Sequence, residues 1–249
     1  MEALSLKHPP LLETSLSVDF KSMPLVEVAV RDAVAEVAHD FKMYSPVLEN
    51  NLQIDLASPH PGIKQNKIWH GGNFKKDDHH VLIVRAGDKG GVTIAYSMVN
   101  TYTKWEDFSL CARHVIQSVQ NALRLADICR IGVRCIDRLG KPFDGCALRD
   151  VVKLIPDQVP DVGDEELRDF FYRDTKFYLR YKLFATLIRT TRRNQGTSDM
   201  SYIIDTDVFD FPKGQVDDSY WDSLLPRMRE LKDMLFFGAI GEKSLEACK

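Results

Sequence analysis

Two aspartates separated by a single threonine, Asp205 and Asp207, are the nearest thing in this chain to a catalytic pair. Side chains alternate along an extended strand, so both carboxylates would leave one face and could hold Mg²⁺ for nuclease or phosphotransfer chemistry. Such sites normally add a further acid and often a lysine, and no Asp…Glu-x-Lys pattern accompanies these two. The plainer reading has both acids facing solvent, opposite Arg180 or Lys182 on a neighbouring strand. Arg130, Arg134 and Arg138 form a second constellation. On a strand they would project at intervals of about 13 Å, at roughly 3.3 Å per residue. They then make either a solvated face paired with carboxylates on adjacent strands, or a face that binds phosphate or an acidic partner. The anion-binding version fails if the guanidiniums are already buried against acids.

A third set is the basic run Lys176, Arg180, Lys182, Arg189, Arg192 and Arg193, interleaved with Phe177, Tyr178, Tyr181 and Phe184. Basic residues mixed with aromatics on a sheet can hold single-stranded nucleic acid through phosphate neutralisation and base stacking. Read as one long strand from Lys176 to Thr191, the run puts Phe177 and Tyr181 opposite Arg180 and Lys182. Only Tyr178 and Phe184 then share the basic side, and a charged, solubilising hairpin edge is the ordinary alternative.

Other chemistries lack their partners. His60, His70, His79 and His80 fall in the irregular stretch 57–80, but none shows a ligand spacing such as His-x-x-x-His, so a surface loop is expected there and no metal site. Cys111, Cys129, Cys135, Cys146 and Cys248 contain no Cys-x-x-Cys pair, and the first three read as small buried hydrophobes. Gly87 to Gly91 lies between two strand-like segments and runs on into Val92, Ile94 and Tyr96, whereas a phosphate loop must open a helix. His114 has no nucleophile beside it, and no Gly-x-Ser-x-Gly context occurs. No cofactor is implied.

The elements that must position these residues centre on 105–138. Trp105, Phe108, Ala112, Val115, Ile116, Val119, Ala122, Leu123 and Ala126 trace one stripe of a helix, with Thr103 and Glu106 as a capping box. After Asp127 the period falls to two, giving a strand with Cys129, Ile131, Val133 and Cys135 inward. Val81–Arg85 and Val92–Met98 form a hairpin before that helix. The hairpin 176–209 comes before a second helix carrying Trp221, Leu224, Leu225, Met228, Leu231, Leu235, Phe236 and Ala239, with Pro226 in its first turn or kinking it. Trp105-Glu106 and Trp221-Asp222 open the two helices alike, as in a duplicated unit. Residues 1–17 read as a surface lead-in, and 26–41 fit a strand or a helix equally.

Residues 128–138, read as Ile-Cys-Arg-Ile-Gly-Val-Arg-Cys-Ile-Asp-Arg, resemble the central motif of a sporadically distributed family of uncharacterised prokaryotic proteins, typically Arg-Ile-Gly-Leu-Arg-Tyr-Ile-Asn-Arg. Arg130, Ile131, Gly132, Arg134, Ile136 and Arg138 match, while Cys135 and Asp137 replace the usual Tyr and Asn. Met23 to Val28 and Asp205 to Phe209 are similar to flanking pieces of the same family. The resemblance implies a prokaryotic origin and a single module of roughly this length, and it carries no activity. The family's sporadic distribution is what suggests a defence-system subunit.

Composition is that of an ordinary globular protein: 249 residues, 44% hydrophobic, 28% charged, with a net charge of −3. That balance supplies no general field for nucleic acid or anionic membrane, and no segment reads as a membrane helix or signal peptide, so a cytoplasmic location is expected. The expected fold is α+β, antiparallel hairpins covered by two long amphipathic helices. It comprises an N-terminal half (1–140), a linker (141–163) rich in Pro, Gly and Asp, and a C-terminal half (164–249), or one continuous domain. The expected function is a non-enzymatic binding or regulatory module. It would act on a protein partner or a second copy of itself through Arg130, Arg134, Arg138, Arg180, Arg192 and Arg193. The alternative is a metal-dependent enzyme acting on nucleic acid or a phosphorylated small molecule through Asp205 and Asp207.

Overall fold

Residues 1–9 of the expected surface lead-in lie outside the described residues; beyond them Thr14, Leu16, Val18 and Phe20 alternate with Glu13, Ser15, Ser17 and Asp19, and this makes the remainder a central strand instead. It is described, with the rest of the chain, by a computed structural model covering residues 10–21, 24–55, 62–87, 90–101, 104–139, 153, 171–193 and 200–247. The side chains of 50–55, 62–66, 193, 200 and 247 lie outside that description. The strands are β1 (Leu11–Phe20), β2 (Met43–Asp55), β3 (Gly62–Lys75), β4 (His80–Ala86), β5 (Val92–Val99), β6 (Ile128–Leu139), β7 (Phe171–Tyr178), β8 (Leu183–Arg193) and β9 (Met200–Asp210). They form one nine-stranded antiparallel sheet in the order β2-β3-β4-β5-β1-β6-β9-β8-β7.

Three helices pack on one face of it: α1 (Glu27–Val37), α2 (Trp105–Ala122) and α3 (Asp218–Ala239); a short α4 (Glu242–Ala247) follows. The segment that fits two periods is therefore a helix, with Val30, Ala33 and Val34 buried. Alternation decides which residues meet the helices. Leu16, Val18, Ile94, Tyr96, Ile131 and Val133 pack in one core with Phe108, Ile116, Trp221 and Leu224. Each fully buried large side chain of this kind contributes about 1.5–3 kcal/mol. The opposite, outer face carries Ser15, Ser17, Asp19, Arg130, Arg134 and Arg138.

The chain repeats one plan. β1 leads to the meander β2–β5, whose last strand returns beside β1; β6 leads to β7–β9, whose last strand returns beside β6. α2 then packs on β5, and α3 on β9. β1 and β6 pair antiparallel and join the two halves in one sheet. Of the expected linker 141–163 only Lys153 is described; its N–H donates to the Ala239 carbonyl (2.8 Å).

Several local expectations are corrected. Lys104, not Thr103, holds the N-cap position of α2, with no side-chain cap. Thr103 lies outside the described residues, and the Glu106 carboxylate accepts a hydrogen bond from Arg229. Pro226 sits well inside α3, on its exposed side, where its missing N–H breaks no core contact. Of the stretch 57–80, residues 57–61 lie outside the described residues, and the rest is mostly strand β3 rather than loop. Its glycines serve close approach: a Cβ at Gly71 would stand 2.2 Å from the Val84 carbonyl oxygen, and one at Gly72 would stand 2.4 Å from the Tyr44 ring. His79 ends the tight turn after β3 and His80 begins β4, and their backbone N–H groups donate to Asp77 Oδ1 at 2.7 and 2.8 Å.

Candidate functional site

The long strand expected from Lys176 to Thr191 is two strands. Leu179 to Lys182 turn the chain, closed by Tyr181 N–H donating to the Tyr178 carbonyl (3.1 Å), and Lys182 adopts φ 54° where a glycine is usual. None of the four turn residues is Gly, Pro, Asn or Asp, so alternation continued through the turn unmarked. Length was the available signal, because strands seldom exceed about 10 residues. The turn changes every face assignment around it. Phe177 now stands opposite Phe184 and shares the outer face with it, while Tyr181 is buried in the core.

An aromatic shelf results. Phe184 lies opposite both Phe177 and Phe209, and Phe211 joins from just beyond β9. Phe177 and Phe184 centroids are 4.9 Å apart; Phe184 and Phe209 are stacked at 5.7 Å and 11°; Phe211 meets Phe184 and Phe209 edge-on, each at 5.4 Å. Phe177 and Phe211 remain 50% and 48% exposed. Sequence reasoning missed this grouping, because Phe209 and Phe211 had no visible partners.

The shelf runs into the arginine strand at Gly132, which is opposite Phe209. The Arg130 side chain lies across Gly132: a Cβ there would stand 2.6 Å from Arg130 Nη1. The guanidinium stacks on Phe209, 4.6 Å from its centroid, and donates from Nη2 to both Asp207 oxygens (2.8 and 2.7 Å) and from Nη1 to Ser17 Oγ (3.3 Å). Asp19 approaches the same guanidinium at 3.8 Å. Arg134, which stands opposite Asp207, pairs diagonally with Asp205, its Nε and Nη2 donating at 2.9 and 2.6 Å.

Asp205 and Asp207 thus share a face, as their spacing requires, but each is held by its own arginine on β6, and neither meets Arg180 or Lys182. Asp207 is nonetheless pushed above the usual carboxylate range, because burial outweighs the Arg130 charge. The Asp205 hydrogen bonds hold the Arg134 guanidinium charged, above its usual value. Among the described residues no group of three or more His, Cys, Asp or Glu side chains could hold a metal ion.

The remaining basic residues do not converge. Arg138 and Arg192 are exposed on the outer face, without a carboxylate partner among the described residues. Arg180 sits in the turn, 5.5 Å from the Tyr181 ring. Arg189 is buried on the helix side, over Tyr172, and bonds the Lys153 carbonyl. Lys176 pairs with Asp174. The Arg193 side chain lies outside the described residues. A basic track for a phosphate backbone needs these charges along one surface, and alternation divides them.

A second polar group lies on the helix side of β1, β6 and β9, where apolar residues were expected. Cys135 Sγ meets Thr14 Oγ1 at 3.2 Å, and burial pushes the thiol up to about 11. Asp137 is 6% exposed, and no hydrogen bond reaches its carboxyl from the described residues. Burial raises its pKa to about 7, against the pull of the Lys232 charge and with the push of Asp233 and Asp205. Thr206 Oγ1, opposite Cys135 on β9, is also buried without a hydrogen-bond partner among the described residues. Elsewhere a polar groove of about 680 Å³, lined by Lys21, Gln120, Asp127, Lys213 and Gln215 among others, shares no residue with either group.

No helix among the described residues is long and apolar enough to cross a membrane. No protein-family model matches the chain, and no curated protein matches it. Among solved structures, the di-domain aromatase/cyclase StfQ from the steffimycin biosynthetic pathway aligns over 94% of this chain and 97% of its own. That alignment has 8% identity and a TM-score of 0.21. DynU16, a protein of the dynemicin biosynthetic locus, aligns over 90% and 96% with 11% identity and a TM-score of 0.20. At those scores the likeness carries no argument about fold or activity.

Proposed function

We propose that the chain is a non-enzymatic binding module that docks a protein partner on the outer face of its C-terminal half, centred on Phe177, Phe184, Phe209 and Phe211. The observation that supports this reading is the half-exposed aromatic shelf, flanked by guanidiniums already neutralised by Asp205 and Asp207. Exposed phenylalanines packed against one another, with arginine stacked at their border, have the composition of a binding hot spot. The paired charges at Arg130 and Arg134 add directional polar groups at the rim without the field that draws nucleic acid. The same pairing weighs against a metal site at Asp205 and Asp207, since a divalent ion would first have to displace a bidentate guanidinium from each.

The test is affinity capture from the host with the native chain and with a Phe177→Asp/Phe211→Asp double variant, with and without a chelator. The module should retain a defined partner that the double variant loses and that the chelator leaves bound. Identical recovery by both proteins would sink the reading. Cleavage of nucleic acid that needs Mn²⁺ and either aspartate would replace it with the enzyme.

A further inference from the structure

The two edges of the sheet are finished differently. β2, at one edge, contains Pro46 and a register shift between Val47 and Leu48, two devices that stop another strand from adding there. β7, at the other, pairs with β8 over its whole length without a shift and has no proline. Among the described residues nothing pairs with its free side. Phe171 and Phe177 are 69% and 50% exposed, and Leu179 just beyond is 78% exposed. An uninterrupted edge with exposed aromatics is a template for a further strand.

We infer that this strand is a second β7, and that two copies of the chain join edge to edge as an antiparallel dimer with its two-fold axis at Thr175. The sequence Phe-Tyr-Arg-Asp-Thr-Lys-Phe-Tyr selects the register. A two-fold normal to the sheet keeps the helices of both copies on one side, and it places one residue of β7 opposite itself. Centring on Arg173, Asp174 or Lys176 sets like charges face to face, which is destabilising in directly opposed positions. Centring on Thr175 sets threonine against threonine and Asp174 against Lys176 twice. It also sets Arg173 against Phe177 twice, and Tyr172 against Tyr178 twice. Arg173 has no ion pair among the described residues; in this dimer it covers the exposed Phe177 ring of the other copy. The Asp174–Lys176 pair already formed within each strand becomes a four-charge group of alternating sign.

This goes beyond the reading of the outer face, and its test leaves Phe184, Phe209 and both arginine pairs untouched. Sedimentation of the native chain should show a species of twice the 28.4 kDa chain mass at micromolar concentration. Asp174→Lys or Lys176→Asp alone makes two like-charge oppositions and should weaken association about ten-fold or more. The double substitution restores opposite charges and should recover the dimer. Thr175→Cys should oxidise to a covalent dimer, because directly opposed residues lie within disulfide reach, whereas Phe171→Cys should cross-link no more than the native chain. A monomeric native chain, a dimer indifferent to the single reversals, or a double variant as weak as the singles would each overturn the inference.

Discussion

The two halves of this molecule follow one plan and are finished for different surroundings. In each, a strand leads to a meander that returns beside it, and a helix then covers the returning strand, with a tryptophan as the first residue of α2 and the fourth of α3. Trp105 and Trp221 are both buried, and in each helix an arginine follows the tryptophan by eight positions. The helix sides of the two halves therefore match. The outer faces do not: the first half carries there the small residues Ser15 and Ser17 beside the buried Ala95 and Ser97, and the second an aromatic shelf bordered by ion pairs. The edges differ in the same sense, β2 being blunted and β7 left regular. Shared features serve the common core, and the departures mark the half that meets something else.

The sharpest test of the shared part is truncation of each tryptophan. Trp105→Ala and Trp221→Ala should each cost about 3–5 kcal/mol of unfolding free energy, the range for deleting a large buried aromatic. Both should unfold in one transition by circular dichroism and by the fluorescence of the remaining tryptophans, since β1 and β6 join the halves. A variant in which one half melts alone would show the two units to be separate.

Asp137 tests where the halves differ inside the core. Burial lifts its carboxyl from 3.8 to about 7, so the fold holds the proton that the unfolded chain releases. The stability it contributes is full below its ordinary range near pH 4 and is lost as pH rises towards 7. Asp137→Asn keeps the shape with no charge to bury. It should gain on the order of 2–4 kcal/mol over the native chain at pH 8, with no gain near pH 4, in denaturant titrations at the two pH values. A gain independent of pH would show that the carboxyl is not what titrates.

Alternation made much of the architecture legible: the strand at 128–139 with Ile131, Val133 and Cys135 inward, the hairpin before it and both long helices follow from period alone, whereas Cys129, read as buried, is half-buried at an irregularity where Ile128 pairs with Phe20, and Cys111, read as buried, is exposed. What escaped was pairing. The acids that neutralise Arg130 and Arg134 lie more than sixty residues later in the chain, and no local pattern says that β9 is their neighbour. The central strand β1 went unread because Glu13, Ser15, Ser17 and Asp19 occupy alternate places in it and Thr14 stands among the inward ones, so that the run of polar residues resembles a loop. Glycine misled in the opposite direction in β3, where it admits the Val84 carbonyl and the Tyr44 ring rather than breaking the strand. The aromatic shelf depended on a turn built from Leu179, Arg180, Tyr181 and Lys182, none of them a turn former.

Gly132 isolates the outer-face chemistry from the core. Gly132→Ala forces the Arg130 guanidinium off its seat, because the new methyl would stand 2.6 Å from Nη1. The arginine is long enough to swing away, so the cost is the lost pair with half-buried Asp207 and the lost stacking on Phe209, about 1–2 kcal/mol. Arg130→Ala should cost a similar amount, and the double variant should cost little more than either single change. Full additivity in that cycle would mean the glycine serves something other than seating the arginine.

The smallest expected effects probe the symmetry most directly. Arg113 on α2 reaches Asp218 and Asp222 at the start of α3 and lies 5.9 Å from the Trp221 ring. Arg229 on α3 reaches Glu106 at the start of α2, while Lys232 stands 6.0 Å from the Trp105 ring. Each cation thus meets the acidic first turn of the other helix, where the helix dipole already favours those carboxylates. The acids are 83%, 72% and 63% exposed, so solvent screens both contacts. Arg113→Ala should cost about 0.5–1 kcal/mol and Arg229→Ala about half of that, because Arg113 has two acids and an indole where Arg229 has one acid of the other helix. Raising the salt concentration should shrink both costs and leave the larger remainder at Arg113, whose contact with the indole ring depends less on screened charge. If Arg229 proved the costlier site, the correspondence between the two helices would be one of spacing only, and the pairing at α2 would have to be explained by its own surroundings.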